Sequence, residues 1–296
     1  MKHFDTKKYY SKLLFIGEYT VLHGHNAMAF PLKSHFGSWK ESANPDERII
    51  EFFNFVSKML LWNKQFVLKS EDLQFWKERG CFESNIPFGY GLGSSGALTA
   101  AMFDSFIECP ERVSLQELKR VLGQIESYFH GASSGTDPLV SYLNQPLIIS
   151  QKNIELSDIS ISNSYQDFYL YDSQEKRNTA ALVKEYQALR TNDSTFEQCT
   201  NEMGVLNDQL ILALQHKNSN SFLNNFIALS ELQYNAMSGF IPEMVKTDWK
   251  NGLDSGEYYM KLCGAGGGGY FLILDYKKQI AMNSNLKPKL NSLDIE

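Results

Sequence analysis

Apolar residues fall along the chain in short blocks whose spacing switches between the periods of strands and helices. Leu13 to Leu22, LLFIGEYTVL, reads as a strand interrupted at Gly17, with Ala27 to Leu32 as its return. Residues 46–60 repeat apolar positions at helical spacing and predict an amphipathic helix. The stretch ESNIPFGYGLGSSG, residues 83–96, is a loop by its Pro and Gly content. It opens into ALTAAMFDSFI, a helix rich in small and apolar residues. A further helix starts at Ser114, where Ser114 and Glu117 form an S-x-x-E capping box. Its apolar stripe runs through Leu115, Leu118, Leu122, Ile125 and Phe129, and Gly131 is a natural stop.

After residue 165 the pattern changes. Asp167 to Tyr171 predicts a short aromatic strand, and two long helical stretches follow near residues 196–216 and 219–237. A glycine tract at 264–269 then precedes a strand from Tyr270 to Leu274. Helices mixed with scattered strands predict an α+β fold in both halves. A length of 296 residues, at roughly 150 per domain, fits about two domains, drawn here as 1–165 and 166–296.

Composition narrows the function classes. With 43% hydrophobic and 21% charged residues, the chain can bury a sizeable core. Its 34 acidic residues outweigh 28 Lys and Arg, for a formal charge of −6, which argues against a general binder of nucleic acid or anionic membrane. A small anionic ligand needs only a few local donors and stays open. Cys81, Cys109, Cys199 and Cys263 lie far apart without a C-x-x-C pair, so reduced thiols are expected rather than a zinc site or disulfides. The apolar run from Leu13 to Ile16 is too short for a signal-peptide core, and a cytoplasmic location is expected. Trp39, Trp62 and Trp76 read as core residues rather than ligand stackers.

Two segments fit G-x-G-x-x-G: Gly91-Leu92-Gly93-Ser94-Ser95-Gly96 and Gly264-Ala265-Gly266-Gly-Gly-Gly269. Neither sits in a Rossmann context. Pro87 spoils a buried strand before the first, and the second runs into a strand instead of a helix. No G-K-[ST] follows either loop, and H-R-D and D-F-G are absent. The first loop can still bind phosphate, because glycines admit close approach and the following helix offers free N–H groups and its positive end. Ser94 and Ser95 add hydroxyls, one of which could reach a magnesium ion. The plainer alternative is a tight turn with a Ser N-cap.

Glu126 continues the Leu118–Leu122 stripe, so a carboxylate occupies a core-facing position. It is either an edge residue reaching water or a buried anion that needs a cation. The turn His130-Gly-Ala-Ser-Ser-Gly-Thr-Asp137 brings a second carboxylate back. A glutamate, a serine-rich turn and an aspartate are what magnesium-assisted phosphoryl transfer requires. The metal takes hard oxygen ligands, and a carboxylate beside an acceptor hydroxyl can take its proton.

These residues resemble the GHMP small-molecule kinases, and among them the mevalonate kinases. The resemblance rests on KLLFIGEYTVLHG at 12–24, GLGSSGA at 91–97, ESYFHGASSGTD at 126–137 and KLCGAGGGG at 261–269, with KRNTAALV at 176–183 as a further piece. It implies two domains, the first similar to ribosomal protein S-five domain two and the second ferredoxin-like, with ATP and the acceptor between them. It implies Asp137 as the catalytic aspartate and Lys12 as its paired, charge-stabilising lysine. Gly91, Leu92, Gly93, Ser94, Ser95 and Gly96 would hold ATP, and Ser95 and Glu126 would ligate Mg²⁺. Glu18, Tyr19, His23, Arg177, Thr179, Gly264, Ala265 and Gly266 would lie on the substrate side. The implied reaction phosphorylates a primary hydroxyl of a small hydroxy acid, most like mevalonate, and a homodimer is compatible with the resemblance. Phosphomevalonate, another acceptor of the family, or a silent ligand sensor on the same fold remain as alternatives.

The chain departs from the family pattern in four places. Tyr9-Tyr10-Ser11-Lys12 stands for A-P-G-K, and Gly17-Glu18-Tyr19 for the G-E-H of mevalonate kinases; G-E-Y is more usual in phosphomevalonate kinases. Ser133 replaces the proline of H-G-x-P-S-G, and Cys263 replaces a common threonine.

Overall fold

The computed structural model describes residues 7–44, 46–61, 65–151, 153–161, 167–280, 283, 285–293 and 295. Trp62 and the boundary near 165 fall outside them. In chain order the elements are β1 (Tyr9–Ile16), β2 (Ala27–Glu41), α1 (Glu47–Leu60), β3 (Val67–Leu68), α2 (Ser70–Arg79), β4 (Gly80–Ser84), α3 (Ser94–Phe106), β5 (Ile107–Glu108), α4 (Leu115–His130), α5 (Thr136–Leu143), β6 (Leu147–Ile149) and β7 (Ile154–Leu156). There follow β8 (Asp167–Asp172), α6 (Thr179–Asn192), α7 (Ser194–Gln215), α8 (Ser219–Ala236), α9 (Glu243–Ser255), β9 (Tyr258–Leu262), β10 (Tyr270–Asp275) and β11 (Leu290–Ser292). No helix among the described residues is long and apolar enough to cross a membrane.

The chain divides into two compact units that are not contiguous in sequence. One holds the residues up to Lys12 together with Pro31–Pro87 and Leu92–Gln145. The other holds Leu13–Phe30, Phe88–Gly91 and the chain from Pro146 onward.

In the first unit the later part of β2 pairs antiparallel with β4, Gly37 facing Ser84 and Glu41 facing Gly80. A small β3–β5 ladder lies apart from it. The core is aromatic: Trp39 packs on Phe53, Trp76, Phe82 and Phe106 at centroid distances of 5.2–5.7 Å. Trp39 and Trp76 are both buried, in keeping with their reading as core residues. α4 begins as expected, with Ser114 Oγ accepting from the Glu117 N–H at 3.2 Å.

In the second unit β11, β8, β10 and β9 form an antiparallel sheet in that order. α8 and α9 supply its apolar cover, with Trp249, Phe222 and Phe226 fully buried, and α7 packs on α8. The start of β2 pairs with β6, and β6 with β7.

Three local readings need correction. The strand read over Leu13–Leu22 is instead Tyr9–Ile16, and the chain then turns into a 3-10 helix at Thr20–His23. Gly17 has φ +102° and a Cβ there would lie 2.4 Å from the Ala27 Cβ, while Tyr19 also has positive φ, so extended pairing cannot continue. The helix read from Ala97 starts at Ser94. The stretch read as a turn through Asp137 ends in the first turn of a further helix, α5.

Candidate functional site

The phosphate-loop candidate is built by glycine conformation. Gly91 and Gly93 have φ of +72° and +73°, and Gly93 caps α3 in the left-handed region without any side-chain bond to the helix. This removes the alternative of a Ser N-cap: Ser94 and Ser95 are the first two residues of α3, and their hydroxyls are not used as its cap. The first-turn N–H groups of a helix have no partner within it and carry the positive end of its dipole. That geometry receives anions. On its approach side the loop is tied to the middle of β1, where the Lys12 N–H donates to the Leu92 carbonyl at 2.9 Å.

Asp137 lies in the first turn of α5, another helix capped by a left-handed glycine, Gly135, with no side-chain cap bond. Its Oδ1 is 2.8 Å from the Lys12 Nζ. The carboxylate closes on the loop because the loop lacks side chains. A Cβ on Gly93 would lie 3.0 Å from Asp137 Oδ2, and one on Gly96 would lie 2.8 Å from the Asp137 Cβ. The lysine, the aspartate and the glycine loop, far apart in sequence, thus meet in the first unit.

Glu126 is 4% exposed, so the sequence anomaly is a buried carboxylate, not an edge residue. Ser95 Oγ donates to its Oε1 at 2.9 Å, and Ser133 Oγ donates to its Oε2. His130 Nε2 lies 3.0 Å from Ser95 Oγ. Burial, followed by the nearby charge of Asp137, pushes the Glu126 carboxyl up to about 7, against the downward pull of the two serines and Lys12. A hydroxyl and a carboxylate at this separation are hard oxygen donors suited to Mg²⁺, and a divalent cation offsets crowded negative charge of this kind. Among the described residues no group of three or more His, Cys, Asp and Glu could hold a metal. His130 and Ser133 as partners of the pair are new from the structure. Their only sequence signal is their place in the turn that carries Asp137.

The remaining candidates lie in the second unit. Glu18 is 3% exposed, and its Oε1 accepts from the Lys261 Nζ, which also donates to the Phe15 and Leu262 carbonyls. Lys261 is a residue the sequence reading passed over. Tyr19 donates to the Ala265 carbonyl at 2.7 Å and stacks on Tyr186 at 4.2 Å between centroids, and burial raises its hydroxyl pKa. His23 is exposed, its ring 5.7 Å from Tyr186. Arg177 gathers the two glycine motifs. Its N–H donates to the Gly89 carbonyl at 3.0 Å and its Nη1 to the Cys263 carbonyl at 3.2 Å. A Cβ on Gly91 would lie 1.6 Å from its Nη2, and one on Gly264 2.7 Å away. Thr179 is the exposed first residue of α6, which Asn178 caps. Gly266 has φ +71° and passes so close to the Phe240 carbonyl that a Cβ would lie 2.4 Å from it.

Residues 60–145 match the model of the GHMP kinases N terminal domain. Among solved structures, the Lin0012 protein of Listeria innocua superposes with a TM-score of 0.69 at 17% identity, over 98% of this chain and 96% of that one. The mevalonate kinase of Methanococcus jannaschii gives 0.67 at 17% identity over 99% of each chain. The phosphomevalonate kinase of Streptococcus pneumoniae, in complex with phosphomevalonate and AMPPNP, gives 0.65 at 15% over 97% of this chain and 98% of that one. No curated protein sequence matches the chain. Residues 60–145 thus match the GHMP kinase N-terminal domain, and the chain as a whole has the α+β fold of the mevalonate and phosphomevalonate kinases it resembles.

Proposed function

We propose that this chain is an ATP-dependent kinase that phosphorylates a primary hydroxyl of a small hydroxy acid, with mevalonate as the leading acceptor. The observation that carries the reading is the Lys12–Asp137 pair, 2.8 Å apart, set against a glycine-opened helix N-terminus. Asp137 would orient the acceptor hydroxyl and take its proton, while Lys12 offsets charge that develops in the transfer. The amides of 91–96 would cradle the β- and γ-phosphates. Ser95 and Glu126 would hold Mg²⁺, which when bound neutralises phosphate charge. On the acceptor side the reading assigns Arg177, Thr179, Tyr19, His23 and the turn Gly264-Ala265-Gly266. Glu18, already bonded to Lys261, would serve there by holding the Tyr19 turn in place. Residues 1–165 as the ATP and catalytic domain and 166–296 as the second domain belong to the same proposal.

A second reading, phosphomevalonate kinase, is favoured by Tyr19 in Gly17-Glu18-Tyr19 and by the Arg177 cation, which an acceptor phosphate would use. The test is ADP release coupled to NADH oxidation, with mevalonate, phosphomevalonate, galactose and homoserine as acceptors. Turnover with mevalonate alone supports the first reading, and turnover with phosphomevalonate alone supports the second. ATP binding without turnover of any acceptor overturns both in favour of a ligand sensor.

A further inference from the structure

The turn that replaces the family's proline with serine points its hydroxyl at the buried glutamate. Ser133 Oγ accepts from the Gly135 N–H at 2.9 Å and donates to Glu126 Oε2. A hydroxyl has a single hydrogen. An ionised carboxylate can only accept, so that hydrogen goes to Glu126, while a lone pair of the same oxygen takes the Gly135 amide. The turn in turn is pressed onto α4 by glycines. A Cβ on Gly123 would lie 3.1 Å from the Ser133 carbonyl, and one on Gly135 would lie 2.1 Å from the Lys119 carbonyl. Ser133 is therefore delivered to Glu126 by backbone packing.

The other carboxylate oxygen, Oε1, is the one shared with Ser95. We propose that Ser133 is a positioning residue of the metal site: it occupies Oε2, fixes the rotation of the carboxyl group and so presents Oε1, beside Ser95 Oγ, as the ligand. This rests on the reading of Ser95 and Glu126 as Mg²⁺ ligands. Proline, the usual residue at this position of the motif, has no hydroxyl to make such a bond, so this support belongs to the present chain's own sequence. Partners that orient a metal-ligating carboxylate change metal affinity by about 10–100-fold when removed.

The test is Mn²⁺ binding to the protein–AMPPNP complex, followed by electron paramagnetic resonance, in the full chain and in Ser133→Ala, Ser133→Thr and Glu126→Gln. Thermal melting of each protein serves as the fold control. Ser133→Ala is expected to weaken Mn²⁺ by about tenfold while metal-free AMPPNP binding stays the same, and Ser133→Thr, which keeps the hydroxyl, is expected to recover most of the loss. A folded Ser133→Ala protein with wild-type Mn²⁺ affinity overturns the proposal, provided that Glu126→Gln loses affinity. Equal loss in Ser133→Ala and Ser133→Thr overturns it too, because the hydroxyl would then not be the cause. Unchanged affinity in Glu126→Gln overturns the metal-ligand reading itself, and this proposal with it.

Discussion

The Lys12 ammonium stands 2.8 Å from Oδ1 of Asp137, with 10% of the lysine side chain and 29% of the aspartate side chain exposed. The two oxygens of the carboxylate therefore have different surroundings. Oδ1 faces the cation, and Oδ2 faces the loop at Gly93, where even a methyl group would lie within 3.0 Å. A carboxylate held in this way has little rotational freedom, and its lysine partner is largely shielded from water, where charge interactions are stronger.

Asp137→Asn keeps the shape and removes the base. We expect kcat to fall by about 10²–10⁴-fold, the range for a positioned general base, with the KM for ATP little changed. A loss smaller than about tenfold in steady-state kinetics would rule out the base role.

Gly96→Ala tests how closely the loop and Asp137 are apposed. Alanine is the better helix former by about 1 kcal/mol. Its methyl group, however, would sit 2.8–2.9 Å from Asp137 and Pro138 backbone and Cβ atoms that cannot swing away. We expect a net loss of stability of about 1–3 kcal/mol, as in overpacked cores, together with a drop in kcat. Wild-type kcat and melting temperature in this variant would mean that the loop stands off from the aspartate in solution.

The Glu126 carboxyl, raised to about 7, makes stability depend on pH. Between its ordinary value near 4.5 and about 7 the folded protein binds more protons than the unfolded chain, so stability falls as pH rises through that window. Glu126→Gln removes the titration. In metal-free protein the difference between the two melting temperatures is expected to be constant below about pH 4.5, to shift in favour of the variant from there to about pH 7, and to level off above. A difference that stays constant across the window would show that Glu126 is not the group responsible.

Lys261 and Glu18 form an ion pair whose side chains are fully buried. Removing one member leaves the other charged and without water. Lys261→Met alone is expected to cost about 3–5 kcal/mol in urea unfolding, and Glu18→Leu/Lys261→Met to recover most of it. If the double variant is as unstable as the single one, packing rather than the uncompensated charge is at fault.

How much of this was legible depends on how local the cause is. The Ser114 cap and the stripe of α4 were readable because both operate within a few residues. Glu126 was readable as an anomaly for the same reason, while its burial and its serine partners were not. Asp137 was readable as a second carboxylate at the end of its serine-rich turn, whereas Lys12 and its pairing with Asp137 came only from the family resemblance. The Lys261–Glu18 bond spans 243 positions, and nothing near either residue signals it. α6 went unread because it buries only Tyr186, which leaves no apolar stripe to detect. The start of α3 is hidden in the sequence because a glycine, not a serine, caps it.

One main-chain bond explains why an altered approach to Lys12 can be harmless. The Lys12 N–H is held by the Leu92 carbonyl, so the address of that lysine is written in the backbone and not in the side chains before it. Tyr9, Tyr10 and Ser11 can replace a proline- and glycine-containing approach without shifting the ammonium, provided the amide keeps its partner. Drift upstream of Lys12 then leaves its place unchanged, whereas a change that reshapes the Leu92 carbonyl would displace the lysine and the glycine loop together.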